Sequence, residues 1–227
     1  MVDVVVMKAV GADNLKHADA ARKILGENQV VGINLISSPG AGKTTLLERT
    51  IKDNPDLKFG VIEGDVFTDR DASRIVSAGA PAVQLNTEGS CHLTAHMIEA
   101  VLNKFNLKEL DFLIVENIGN LICPSGYDLG ENLRVTLLST PEGSDKVRKY
   151  PAAFDSAGLV LITKNDIADV VGFDFAIVAD DLAAVNPDVK SIRVSTVSGE
   201  GLDKWYECLR KLVDLRDSGE IPKAFKF

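Results

Sequence analysis

A doubly wound, mostly parallel α/β sheet flanked by helices, with a short N-terminal helix, is the fold this chain predicts. Three observations carry the prediction. Uninterrupted apolar runs recur along the 227 residues, among them Phe112-Leu113-Ile114-Val115 and Leu159-Val160-Leu161-Ile162. Such runs, unlike alternating ones, suit strands covered on both faces. Helical patterns separate them, which is the signature of strand–helix–strand crossover units. Polar and charged residues also gather just after the runs, at the sheet edge where folds of this kind bind ligands.

Leu15, Ala18, Ala21 and Ile24-Leu25 lie at helical spacing over residues 13–26, and Gly26 supplies a stop. A strand at 30–36 is followed by a Gly-rich turn and a helix to about residue 52. Strands are expected at 57–62 and 82–85, with a helix at 69–78 between them. A helix at 92–104 leads to the strand at 112–115, and further strands fall at 135–138 and 159–162. Helices at 173–185 and 202–212 flank a last strand at 191–194, and the tail 220–227 reads as loosely ordered. The resulting division is an N-terminal helical segment over 1–29 and one α/β domain over 30–227.

Composition narrows the function classes. A net charge of −8 offers no basic face to displace counterions, which argues against a nucleic-acid partner. No apolar run is long enough to span a bilayer, so no membrane partner is expected. Asp3 stands where a secretion signal carries basic residues, and three cysteines fit a reducing compartment better than a disulfide framework. The expected location is the cytoplasm.

Ser37-Ser38-Pro39-Gly40-Ala41-Gly42-Lys43-Thr44-Thr45 lies between a strand and a helix, the context a phosphate-binding loop requires. Gly40 and Gly42 allow backbone N–H groups to turn inward on phosphate oxygens, together with those of Ser38, Ala41 and Thr45. Lys43 is placed to reach the β- and γ-phosphates, and the Thr44 hydroxyl to ligate Mg²⁺. The usual pattern begins with Gly six residues before the Lys, and here Ser37 holds that position.

Asp65 follows the second strand of this unit and Glu116 follows the FLIV strand, so both carboxylates are expected at the Mg²⁺ ion. Glu116-Asn117-Ile118-Gly119 resembles the DxxG sensor of GTPases, with Gly119 giving its N–H to the γ-phosphate. Thr163-Lys164-Asn165-Asp166 resembles their Asn-Lys-x-Asp motif, in which the Asp accepts from guanine N1 and N2 and the Lys stem packs on the base. Thr163 replaces the Asn that braces that loop. Ser195-Thr196-Val197 stands where GTPases carry Ser-Ala-Lys, with Val197 in place of the Lys. Together these favour GTP over ATP.

Cys91-His92 and Cys123 form a second chemical cluster, whose thiolate and imidazole donors suit Zn²⁺ or Ni²⁺. Cys91 is expected at a helix start, where the dipole favours a thiolate. Three ligands are too few for a closed structural zinc site in one chain, so open, exchangeable binding or sharing across a symmetric dimer is indicated. Cys208 reads as core, His17 as surface and His96 as a solvated helix residue that is also a possible extra ligand.

The blocks SSPGAGKTTLLE, VIEGDV, NTEGSCHLTAHM, FLIVENIGNLICPSGYDLGE, TPEGSDKVRKYP and VSTVSGEGLDKW resemble the hydrogenase-maturation nickel GTPase family, HypB, over about residues 15–212. The resemblance implies a P-loop GTPase of the dimerising signal-recognition/MinD-like class that delivers Ni²⁺ to [NiFe]-hydrogenase. It further implies a GTP-dependent homodimer, Ni²⁺ or Zn²⁺ on Cys91, His92 and Cys123 at its interface, and partnership with a HypA-type zinc/nickel chaperone and the hydrogenase large subunit. Thr94 replaces the Asp of the family's CHLDA pattern, and no Cys- or His-rich N-terminal nickel tail is seen. Slow GTP hydrolysis is expected, with Lys43 and Glu116 at the phosphates and Asp65 a candidate for positioning water. No Gln or Arg finger is evident, although Lys146, Arg148 and Lys149 offer charges that reach a partner's nucleotide or simply face solvent. A urease-accessory or cobalamin-mutase type of chaperone GTPase, a P-loop small-molecule kinase and a binding-only metal protein are the alternatives.

Overall fold

Strand β2 (Val31–Ser37) is buried at every position, with Val31, Ile33, Leu35 and Ile36 joined by buried Asn34 and Ser37, as a strand covered on both faces is. The computed structural model that contains it describes residues 3–6, 14–65, 70–87 and 89–227. On one side β2 pairs with β5 (Phe112–Glu116) and on the other with β6 (Leu133–Ser139), both parallel. Outward from β5 come β3 (Phe59–Asp65), β4 (Ala82–Asn86) and β1 (Asp3–Val6). Outward from β6 come β7 (Leu159–Thr163) and β8 (Lys190–Arg193). The order is β1-β4-β3-β5-β2-β6-β7-β8, and every pairing is parallel.

Helices cover both faces. Helices α2 (Lys43–Asp53), α3 (Arg70–Ala78) and α8 (Leu202–Asp217) put Leu46, Leu47, Ile75, Trp205 and Leu209 into one core layer with Ile33, Leu35 and Ile114. Trp205 is fully buried, and its indole N–H donates to Thr50 Oγ1 at 3.0 Å, so the one polar atom of that side chain is satisfied. On the other face α1 (Asn14–Glu27) and α4 (Ala95–Val101) bring Ala21, Leu25, Met97 and Val101 against Leu113 and Val115. The short helices α5 (Lys146–Lys149) and α6 (Pro151–Asp155), with α7 (Phe175–Val185), complete that face around Phe154, Val178 and Leu182. Among the described residues no helix is long and apolar enough to cross a membrane.

Three features differ from the sequence reading. Residues Asp3–Val6 form a strand that pairs with β4 from Asp3↔Val83 to Val6↔Asn86, although the chain before residue 30 reads only as helical. The tail is not loose: Phe225 N–H donates to Asn132 O at 2.7 Å and Phe227 N–H to Gly158 O at 3.0 Å. Both rings pack on the α8 core layer, an anchorage without periodicity and therefore invisible to pattern reading. Finally, α4 begins at Ala95 rather than at His92, because the preceding chain bends away to hydrogen-bond elsewhere.

Candidate nucleotide and metal site

The turn between β2 and α2 closes on Gly42, whose φ of 96° is a left-handed conformation that only glycine adopts without strain. Lys43 follows at the helix start and is nearly buried. Its Nζ donates to Ser37 Oγ at 3.1 Å and lies 3.8 Å from Glu116 Oε1. Ser37 is thus a hydroxyl rest for the lysine at the position where the usual pattern has glycine. Thr44 Oγ1 donates to Glu116 Oε1 at 2.9 Å, joining the loop to the end of β5. Gly119, three residues on, lies against the loop so closely that a Cβ there would meet Pro39 Cα at 2.9 Å.

Glu63 is a buried acid that motif reading passes over. It stands in register with Glu116 on the neighbouring strand, and burial together with the adjacent Glu116 holds its carboxyl well above the usual range. Burial also raises Glu116, against the opposing pull of Lys43 and the Thr44 hydroxyl. The β3 register was the missing signal, because only strand pairing puts the two acids side by side. Glu63→Gln is expected to stabilise the metal-free protein by about 1–2 kcal/mol at neutral pH by removing a buried acid. A carboxyl with a raised folded value loses stability as pH rises through that value. The gain therefore vanishes at acid pH, where the carboxyl is protonated in both states, and grows as pH rises, which thermal unfolding at acid and at alkaline pH tests.

Asp65 closes β3 and lines a cavity of about 550 Å³ with the phosphate loop, Glu116, Asp71 and Arg74. Arg74 was also missed. It donates to Glu48 Oε2 at 2.6 Å and Thr45 Oγ1 at 3.1 Å, and to Asp71 Oδ1 at 3.1 Å, tying α3 to α2 beside the loop. Thr44, Asp65 and Glu116 offer the hard oxygens that Mg²⁺ prefers. Glu116 Oε2, buried and without a hydrogen-bond partner among the described residues, fits such an ion.

The base loops meet at the ends of β7 and β8. Thr163 Oγ1 donates to Ala41 O at 2.7 Å, so the hydroxyl braces the phosphate loop where an Asn amide is usual. Lys164 is left-handed, with φ 57°, and its Nζ donates to Gly40 O at 2.8 Å. Ser195 Oγ donates to Asp166 Oδ1 at 2.6 Å and accepts from the N–H groups of Val197 and Ser198. Thr196 O accepts from Arg49, and the Val197 side chain is exposed. Lys149 and Arg148 are engaged locally by Asp145 and Asp181, and Lys146 lies over the Tyr150 ring.

Cys91, His92 and Cys123 come together, with one ligand atom from each within 4.8 Å of the others. Cys91 and His92 lie in the bend before α4, not at its first turn, so the helix dipole does not act on Cys91 as the sequence predicted. The thiol is in fact raised, first by its contact with Cys123 and then by burial. Burial lowers His92, keeping the ring neutral and able to ligate. Its ring stacks on Tyr127 at 4.1 Å between centroids, which sets its orientation. A soft ion placed here would meet two sulfurs and one nitrogen, a set suited to Ni²⁺ or Zn²⁺.

Asn117 joins the two halves. Next to Glu116, its Oδ1 accepts from Leu93 N–H at 3.3 Å, directly after His92, and its amide donates to Asn34 Oδ1 at 3.3 Å. The candidate nucleotide site and the candidate metal site therefore share one side chain. Cys208 is buried beside Trp205 as expected, whereas His17 and His96 are half-buried and face each other.

Fold and loop define a P-loop nucleotide-binding protein. Residues 31–193 match the family model described as CobW/HypB/UreG, nucleotide-binding domain. The probable hydrogenase maturation factor HypB of Methanocaldococcus jannaschii is 40% identical over 209 residues, covering 92% of this chain and 95% of the relative. The hydrogenase/urease maturation factor HypB of Helicobacter pylori (strain 26695) is 41% identical, with coverage of 90% and 86%. The crystal structure of HypB from Helicobacter pylori in complex with nickel superposes with a TM-score of 0.84 at 37% identity, covering 92% of this chain and 97% of that one. The structure from Archaeoglobus fulgidus gives 0.84 at 39%, with coverage of 89% and 99%. The chain belongs to the CobW/HypB/UreG family and, within it, to the HypB hydrogenase maturation factors.

Proposed function

We propose that this protein is a GTP-hydrolysing metallochaperone that binds Ni²⁺, or competing Zn²⁺, and assists nickel insertion into [NiFe]-hydrogenase. The observation that carries this reading is Asn117, the residue after Glu116, whose Oδ1 accepts from the Leu93 N–H beside His92. A shift at the sensor segment is thereby transmitted to a metal ligand.

Lys43 and the loop amides hold and neutralise the γ-phosphate, while the Gly119 N–H senses it. Thr44, Asp65 and Glu116 would hold Mg²⁺, which when bound spreads the phosphate charge. Asp65 positions the attacking water. On transfer of the phosphoryl group to that water, the contact of Gly119 with Pro39 relaxes and Asn117 moves with it. With Arg74 held by Glu48, Thr45 and Asp71 and Lys164 by Gly40 O, turnover is slow in the single chain, and closure of a GTP-dependent homodimer completes the site. The partners are a HypA-type chaperone and the hydrogenase large subunit, and the compartment is the cytoplasm.

Guanine selection rests on Asp166, exposed at the end of β7 and held by Ser195. Asp166→Asn is expected to weaken GTP binding by about 10²-fold, since two charge-assisted hydrogen bonds become one neutral bond and one clash. Xanthosine triphosphate, with a carbonyl in place of the guanine amine, should bind the variant better than GTP does, and fluorescent-nucleotide competition measures both.

The deciding experiment is GTP and ATP turnover with and without Ni²⁺ or Zn²⁺, run beside molecular mass with a non-hydrolysable GTP analogue. GTP preference and a mass doubling are expected. Strict ATP preference, phosphoryl transfer to a metabolite or absence of hydrolysis would sink the reading.

A further inference from the structure

We propose that His17 and His96 form a second divalent-metal site, separate from the cysteines, on the face where α1 meets α4. The two rings sit edge to face with centroids 5.0 Å apart. Two imidazoles on one tetrahedral ion, each with its nitrogen about 2.0–2.1 Å from the ion and on the order of 1 Å from its ring centroid, hold their centroids about 5 Å apart, the separation seen here. Glu99 Oε2 lies 2.6 Å from His17 Nδ1. That is the carboxylate–imidazole arrangement which fixes a ring's tautomer and leaves Nε2 for an ion. Glu99 is therefore a positioning residue and not a ligand.

A second observation points to a missing partner. His96 Nδ1 is buried and has no hydrogen-bond partner among the described residues. The cluster also lines a cavity of about 650 Å³ between α1, α4 and the turn after α4, wide enough for an ion and its waters. The site is reachable, with the His17 and Glu99 side chains 30% and 33% exposed. Two imidazoles with water completing the shell suit Ni²⁺, Zn²⁺ or Cu²⁺, bound more weakly than by thiolates. The inference stands whether or not the chain hydrolyses GTP, because none of these residues touches the phosphate loop.

The test uses the full chain, stripped of metal and dialysed to equilibrium against Ni²⁺ alone at neutral pH. Two ions per chain are expected in the wild type, and one in the Cys91→Ala/Cys123→Ala variant. That remaining ion should lack the intense thiolate-to-nickel absorption. Adding His17→Ala or His96→Gln should remove it, with circular dichroism showing the fold retained. Glu99→Gln should weaken it by about 10-fold without changing the stoichiometry. Absence of any Ni²⁺ in the double cysteine variant, or survival of its ion when both histidines are replaced, overturns the proposal.

Discussion

Lys43→Ala is expected to lower GTP turnover by about 10²–10³-fold, the loss that follows removal of one preorganised donor to developing charge. The lysine is nearly buried, so its ammonium acts where water screens it poorly. It contacts Ser37 Oγ and Glu116 Oε1, and in the proposed reaction it would exchange these for phosphate. Thr44 and the loop amides survive the substitution, so nucleotide affinity should fall less than turnover does. Phosphate release under single-turnover conditions, set beside the binding constant for a non-hydrolysable analogue, separates the two effects. Equal losses in both would assign Lys43 to binding alone.

Cys123→Ala is expected to reduce Ni²⁺ affinity by more than about 10²-fold, the upper range for loss of even an outer partner of a metal ligand. One sulfur and one nitrogen would remain of the three-ligand set. The substitution also removes the contact that raises the Cys91 thiol, so Cys91 should titrate lower in the variant. The pH dependence follows. A metal binds the thiolates, so protons compete with it, and affinity falls as pH drops below the thiol values, by up to about tenfold per unit for each proton released. His92 adds no proton near neutrality, since burial already keeps it neutral. Affinity measured from about pH 6 to about pH 9 should rise along that range in the wild type, and more shallowly in Cys123→Ala.

The strands and the phosphate loop were legible because each has a local cause. Continuous apolar runs gave β2, β5 and β7, and the spacing of Lys43 and Thr44 behind Gly42 is a one-dimensional signal. Cys91, His92 and Cys123 were legible as chemistry, and their convergence follows from loops leaving β4 and β5, the strands on either side of β3. What escaped depends on register or on distant contact. Glu63 matters only because β3 pairs with β5, and Arg74 only because α3 lies on α2. The start of α4 was misplaced because Leu93 and Thr94 have helical neighbours, while the amide of Leu93 is committed to Asn117. His17 and His96 are 79 positions apart in sequence, and no spacing rule joins them.

Asn14 closes the account of the metal loop. Thr94, the N-cap of α4, makes no capping bond, and Asn14 Oδ1 takes the amide of Ala95 at 2.8 Å, from 81 residues away. The same side chain donates to Asp128 O at 2.7 Å, in the segment after Cys123. One amide group thus holds both chain segments that carry the candidate sulfur ligands. The stiffness of the binding loop is therefore a tertiary property, and the entropy of ordering it is spent during folding and not at metal capture. Under the proposed function, a cage assembled in advance would release its cargo only under strain, and the Asn117 contact is where a nucleotide would apply it.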